Sequence, residues 1–180
     1  MRSKTPLMKK PLSADKDQMS DSSSIESAFK GVYDTALRCL GRRAYGEMEL
    51  RRKLTSMGAA MAQIDQALNR CRQFGYLDDD SFAQSFARSK MVGRHYGPRM
   101  LQAQLQEKGV ASETIAAAVG QILTEVDVVD LAQEALNKKF GSLEILDPEN
   151  KMEVLKAKKK RFDFLVRRGF DYDTIRKVLP

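Results

Sequence analysis

The stretch Gly75-Tyr76-Leu77-Asp78-Asp79-Asp80-Ser81-Phe82-Ala83 closes one helical pattern and opens another. Gly75 has no Cβ and so accepts the left-handed conformation that ends a helix. Tyr76 and Leu77 supply apolar contacts. The three aspartates and Ser81 stand where a new helix exposes unpaired N–H groups and the positive end of its dipole. Phe82, Ala83, Phe86 and Ala87 then follow at helical spacing. Three adjacent carboxylates also raise a metal site. No His or second carboxylate cluster lies nearby, and a capped junction between helices accounts for them.

The same reading extends outward in both directions. Upstream, Ile25, Phe29, Val32, Tyr33, Ala36, Leu37 and Leu40 predict a helix over about 24–43. A second opens near Gly46 with Leu50, Leu54 and Met57. A third carries Ile64, Ala67, Leu68, Cys71 and Phe74. Downstream, Phe82 and Phe86 mark a helix to about Val92. Pro98 starts the next, lined by Leu101 and Leu105 and closed by Gly109; proline suits a first turn, whose N–H has no partner. Ser112 is the expected N-cap of a helix with Ile115, Val119 and Ile122. Val128, Leu131, Ala135 and Leu136 line another, which ends near Phe140-Gly141. Asp147-Pro148-Glu149 has the form of a helix start, followed by Leu155, Phe162, Leu165 and Val166. Gly169 closes that helix, and Asp171 or Asp173 begins a last short one.

These helices repeat. A shift of 51 residues carries Tyr45-Gly46 onto Tyr96-Gly97, Leu50 onto Leu101, Leu54 onto Leu105, Gly58 onto Gly109 and Ile64 onto Ile115. A shift of 60 carries Leu105 onto Leu165, Gly109 onto Gly169, Thr114 onto Thr174 and Ile115 onto Ile175. Such a period means tandem supersecondary units. The expected fold is all-α: three tandem three-helix repeats at 25–78, 79–125 and 126–180, after a disordered tail at 1–24. A unit this small has a thin core that neighbours must partly cover. The predicted chain is elongated, curved and modular.

Of the 180 residues 31 are Lys or Arg and 24 Asp or Glu, a net charge of +7 that favours an acidic partner such as nucleic acid. Residues 151–180 hold ten of the bases and only four acids, so most of the excess sits in the last sixth of the chain. Catalytic patterns fail. Gly41 to Gly46 has the glycine spacing of a phosphate loop, but Glu47-Met48 replaces the required Lys and Ser/Thr. His95 is the sole histidine and reads as a helix-end residue. Glu47 and Glu49 suit a helix first turn. Cys39 and Cys71 belong to no CxxC spacing and read as reduced, buried small hydrophobes. No apolar run reaches the ~18 residues of a membrane span, and residues 1–4 lack the apolar core of a secretory signal. A cytoplasmic monomer is expected.

Gly75-Tyr76-Leu77-Asp78-Asp79, Phe82-Ala83, Tyr96-Gly97-Pro98-Arg99, Leu105 and Lys108-Gly109-Val110, with Glu49-Leu50-Arg51-Arg52-Lys53-Leu54 before them, resemble the bacterial RecX family, regulators of the RecA recombinase. The resemblance covers roughly residues 28–179 and leaves the tail aside. It implies three tandem three-helix repeats and no catalytic residue or cofactor. It also implies a modulator, mostly an inhibitor, that lies in the groove of the RecA–DNA filament. There it limits filament extension, ATP hydrolysis, co-protease activity and strand exchange, within homologous recombination, DNA repair and the SOS response.

Candidate contacts to the filament, or to single- or double-stranded DNA directly or through it, are the basic residues. In the first unit these are Arg42, Arg43, Arg51, Arg52 and Lys53; in the second, Arg88, Arg94 and Arg99. The third supplies Lys156, Lys158, Lys159, Lys160, Arg161, Arg167 and Arg168. The competing reading is a stand-alone, sequence-independent DNA-binding helical protein, since three-helix units resemble helix-turn-helix folds in outline. No aromatic pattern interleaves the charges, which argues against base-specific reading of single strands.

Overall fold

Apolar residues recurring every three or four positions fold here as helices that bury one stripe each. The computed structural model describes residues 17–141 and 151–179. Among the described residues there are nine helices and no strand: α1 (Asp17–Leu40), α2 (Glu47–Ser56), α3 (Met61–Gln73), α4 (Asp79–Arg94), α5 (Pro98–Lys108), α6 (Ser112–Leu123), α7 (Val128–Phe140), α8 (Lys151–Arg168) and α9 (Tyr172–Val178). They form three tandem three-helix units.

The repeat is visible in the backbone. Gly58, Gly109 and Gly169, which the two sequence shifts align, follow the middle helix of each unit with φ of 84°, 83° and 85°. In the opening stretch each aspartate has its own task. Asp78 caps α4, accepting the N–H groups of Asp80 (2.9 Å) and Ser81 (3.2 Å). Asp79 Oδ1 accepts the Glu47 N–H at the head of α2 (2.8 Å), and Asp80 accepts Thr114 Oγ1 from α6 (2.9 Å). One run of carboxylates thus ties together α2, α4 and α6.

Three expectations change. α1 begins at Asp17, inside the stretch expected to be disordered. Ser20 to Ser24 contains neither Gly nor Pro, so extending the helix through it costs only about 0.5 kcal/mol of propensity per residue. α6 is capped by Ala111 rather than Ser112, which becomes its first residue and makes no side-chain cap. α4 continues past Val92 to Arg94 and closes on His95 in the left-handed conformation (φ 52°). Asp147-Pro148-Glu149 lies outside the described residues, as do residues 1–16.

The core is not three equal parts. Ala36, Leu50, Leu54, Ile64, Leu68, Cys71 and Leu77 form a closed cluster in the first unit. The second and third units share one continuous cluster running from Phe82 through Leu101, Leu131 and Leu165 to Val178. Two short units thereby bury more apolar surface than either could alone.

Each junction uses the same contact: the head of one unit's middle helix packs on the turn that closes the next unit's middle helix. Between the second and third units the contact is main chain on main chain. Gly97 N–H donates to Arg168 C=O (2.8 Å) and Arg99 N–H to Gly169 C=O (3.1 Å). A Cβ on Gly97 would stand 2.5 Å from the Gly169 carbonyl, and one on Gly169 would collide with Met100. Between the first and second units Gly109 packs on Met48 in the same manner, but long side chains hold the joint.

Gly97 has an ordinary φ of −75° and is required only for that approach. Gly97→Ala should therefore cost about 3 kcal/mol, the upper range of overpacking. Gly58→Ala, whose Cβ would meet no atom within 4 Å, should cost about 1 kcal/mol of left-handed strain. Urea unfolding of the two variants checks this; equal losses would refute the close-approach account.

Candidate functional site

The site is built from basic side chains, and the structure divides them into those already engaged and those left free. Arg43 forks onto Glu49 (3.1 and 2.9 Å), donates to Ala44 C=O (2.9 Å) and lies 3.6 Å over the Tyr45 ring. Arg51 pairs with Asp65 and, at 3.6 Å, with Glu47, tying α2 to α3. Arg52 Nη1 donates to Glu107 C=O (2.6 Å) in the second unit. Arg88 pairs with Glu125. Arg168 lies 5.0 Å from both the Tyr96 and Phe164 rings and donates to Arg94 C=O. These five are engaged within the chain.

Arg161 departs from the expectation of a surface contact. It is only 6% exposed, packs 5.7 Å over the Phe140 ring, and its Nη1 has no hydrogen-bond partner among the described residues. A basic block from Lys156 to Arg161 spans more than one helical turn, so one of its members must face the core. That face is the one carrying Phe164 and Leu165.

Arg42, Lys53, Arg94, Arg99, Lys156, Lys159, Lys160 and Arg167 are exposed and form no ion pair among the described residues. Lys158 is exposed too but is engaged, so it stands apart from these eight. Helix α8 alone contains eight basic and two acidic residues. The free charge thus gathers on the outer face of α8, with a second group where α4 and α7 end. There Arg94 and Arg168 meet Lys138 and Lys139, which sequence reasoning missed. Lysines in the last turn of a helix are what its dipole favours, so nothing in the sequence marked these two.

The joint between the first and second units has its own electrostatics. Burial raises the Glu49 carboxyl, but hydrogen bonds from Arg43 and Lys108 (2.8 Å) outweigh that and hold it below the ordinary carboxylate range. Burial pushes the Asp79 carboxyl up despite the bond it accepts from Glu47 N–H. Asp78 is held low by the Ser81 hydroxyl and the N–H groups it caps. Burial also raises the Cys71 thiol, in keeping with an unreactive core residue. Among the described residues no three His, Cys, Asp or Glu side chains meet in a set that could hold a metal ion. No described helix is long and apolar enough to cross a membrane.

Known proteins supply the remaining comparison. The chain matches the models of the first, second and third three-helix domains of RecX over residues 33–71, 78–119 and 125–179. The chain belongs to the RecX family. The regulatory protein RecX of Vibrio vulnificus (strain CMCP6) is 35% identical over 146 residues, 81% of this chain and 89% of that relative. The regulatory protein RecX of Chlorobium phaeobacteroides (strain BS1) is 35% identical over 150 residues, 83% and 92% of the two chains. The crystal structure of RecX from Lactobacillus salivarius has the same fold, with a TM-score of 0.68 at 21% identity over 85% of this chain and 95% of that one. A further crystal structure of regulatory protein RecX reaches 0.74 at 20% identity over 95% and 80%. RecX relatives are thus named as regulators rather than as enzymes.

Glu49 titrates below its ordinary value in the folded chain. The stabilisation it gives is complete above that ordinary value and disappears as pH falls through the lower, folded one. Glu49→Gln should therefore lower stability by about 1 kcal/mol at neutral pH and by nothing in strong acid. Urea midpoints of both proteins across that pH range check this; a gap that persists at low pH would contradict the assignment.

Proposed function

We propose that this RecX-family protein is a non-enzymatic modulator, mostly an inhibitor, of RecA. It docks along the RecA–DNA filament and limits extension, ATP hydrolysis and strand exchange. The observation that carries the reading is the outer face of α8, where Lys156, Lys159 and Lys160 stand exposed and unpaired among the described residues on a RecX fold. Acidic RecA surface and filament-bound DNA are the partners of that face. The protein acts as a monomer in the cytoplasm.

The mechanism is additive. An exposed ion pair contributes only about 0–1 kcal/mol, so no single contact suffices. Three units in tandem spread many such contacts over several RecA protomers. A chain lying in the groove keeps the mobile parts of RecA and the second DNA strand from their working positions. Hydrolysis and exchange then slow without any chemistry by the bound protein.

Adding the protein to RecA on single-stranded DNA should lower ATP turnover at substoichiometric amounts; unchanged turnover would overturn the proposal. The variant with Lys156, Lys159 and Lys160 changed to Glu should need about tenfold more protein for the same effect, since a few surface pairs are lost. Its circular dichroism should be unchanged, and a loss of helical signal would mean the three lysines are structural. If the protein binds naked DNA but leaves RecA turnover alone, the stand-alone DNA-binding reading replaces this one.

A further inference from the structure

A concave site separate from the α8 face lies between the second and third units. It is a cleft of about 230 Å³ whose wall includes Arg94, His95, Tyr96, Lys138, Lys139 and Arg168. Three helices end around it: α4 at Arg94, α7 at Phe140 and α8 at Arg168. Basic side chains at helix ends ordinarily answer the dipole and the unpaired carbonyls. Here part of that demand is met by other groups. The Lys90 carbonyl accepts the N–H of Tyr96 (3.2 Å), the Arg168 carbonyl accepts that of Gly97, the Asn137 carbonyl accepts that of Gly141, and the Arg94 carbonyl accepts the Arg168 guanidinium. The side chains of Arg94, Lys138 and Lys139 are left over, without hydrogen bond or ion pair among the described residues. One carboxylate approaches: Glu134, itself 64% exposed, faces His95 Nδ1 at 3.4 Å without forming a hydrogen bond.

The backbone supports the same corner. His95 is the only non-glycine with a positive φ among the described residues. Such a conformation costs about 1–2 kcal/mol in an L-residue and persists where surrounding structure enforces it. His95 lies two residues before Gly97, whose approach to Gly169 holds the end of α4 against the end of α8. The Arg94–Tyr96 side of the cleft is therefore preorganised, and the exposed side chains of Lys138 and Lys139 face it from the end of α7.

We propose that this cleft seats one phosphate of a nucleic-acid backbone. Several cationic groups converge on it, and the volume falls below the ~300–1,000 Å³ of sites that enclose a whole small molecule. The space suits a single anionic group whose remainder lies outside. Arg99 and Arg167, close in sequence to the junction glycines and the cleft's Arg168 and both exposed, add positive charge to these segments, with Asp171 offsetting part of the first. A chain of evenly spaced anions uses charge spread in this way, and an isolated carboxylate does not. This assignment rests on the function proposed above only in locating where the chain meets DNA, and its test needs no RecA.

The test is binding of the full chain to fluorescein-labelled oligothymidylate, followed by anisotropy across a salt series. Lys138 and Lys139, both exposed, are changed to Gln together; Lys30 in α1 and Lys151 at the opposite end of α8 from Arg168, both exposed and outside the cleft lining, are changed together as the equal-charge control. The cleft pair should weaken binding about tenfold and lower the log–log salt slope by about 0.7, the release expected for one phosphate contact on a single strand. The control pair should lose far less on both measures. Equal losses in the two pairs, or no loss in the cleft pair, would overturn the proposal. ATP and inorganic phosphate serve as competitors: displacement only at high excess supports a polymer backbone, and ATP binding tighter than the oligonucleotide would overturn it in favour of a nucleotide site. Polyglutamate displacing the oligonucleotide at equal charge would overturn it in favour of an acidic protein partner. RecA inhibition that survives in the cleft variant would separate this site from the function of the α8 face.

Discussion

The approach of Gly97 to Gly169 sets the architecture of the larger part of the molecule. Two main chains meet closely enough to exchange hydrogen bonds, Gly97 N–H to Arg168 C=O and Arg99 N–H to Gly169 C=O. Such contact requires both positions to lack a Cβ. It brings the turn after α8 against the head of α5 and lets Leu101, Leu131 and Leu165 belong to one core. It also places Arg168 where it can cover the Tyr96 ring and bond the end of α4. Core, helix ends and charged cleft all follow from one glycine pair.

Much of this was readable in the sequence because helix periodicity and helix termination are local. Leu50, Leu101 and Leu165 lie where their spacing placed them, fully buried. The glycines that the shifts of 51 and 60 residues align share one backbone conformation. The position of helix starts was less legible. Ser112 is a better capping residue than Ala111, yet the chain enters α6 through Ala111 because cap preference is worth only about 1 kcal/mol. The helical residues 17–24 were hidden by serine-rich composition, a weak signal against a helix that is already nucleated downstream.

The site was less legible than the fold, and for a physical reason. Whether a base is free depends on what stands across from it, which is long-range information. Arg43 and Arg52 look like surface charge in the sequence, but Glu49 and the Glu107 carbonyl engage them. Arg161 looks like its lysine neighbours and is buried. Lys138 and Lys139 look like ordinary helix-end residues and stand beside Arg94 and Arg168 only after the third unit docks on the second. The run Asp78-Asp79-Asp80 shows the opposite case: three identical residues whose partners differ because each points to a different helix.

The two junctions repeat one geometry in different materials. The second is main chain, with no rotamers to relax, and is backed by a shared apolar core. The first adds to the Gly109–Met48 packing and the Glu47–Asp79 bond the reach of Lys108 to Glu49 and of Arg52 to Glu107, long side chains with several torsions each. Mechanically the first joint is a compliant coupling and the second a weld. The last two units therefore form one body with a common core. A strain applied across the molecule would then fall on the first joint before the second, because side-chain torsions yield more readily than a main-chain contact.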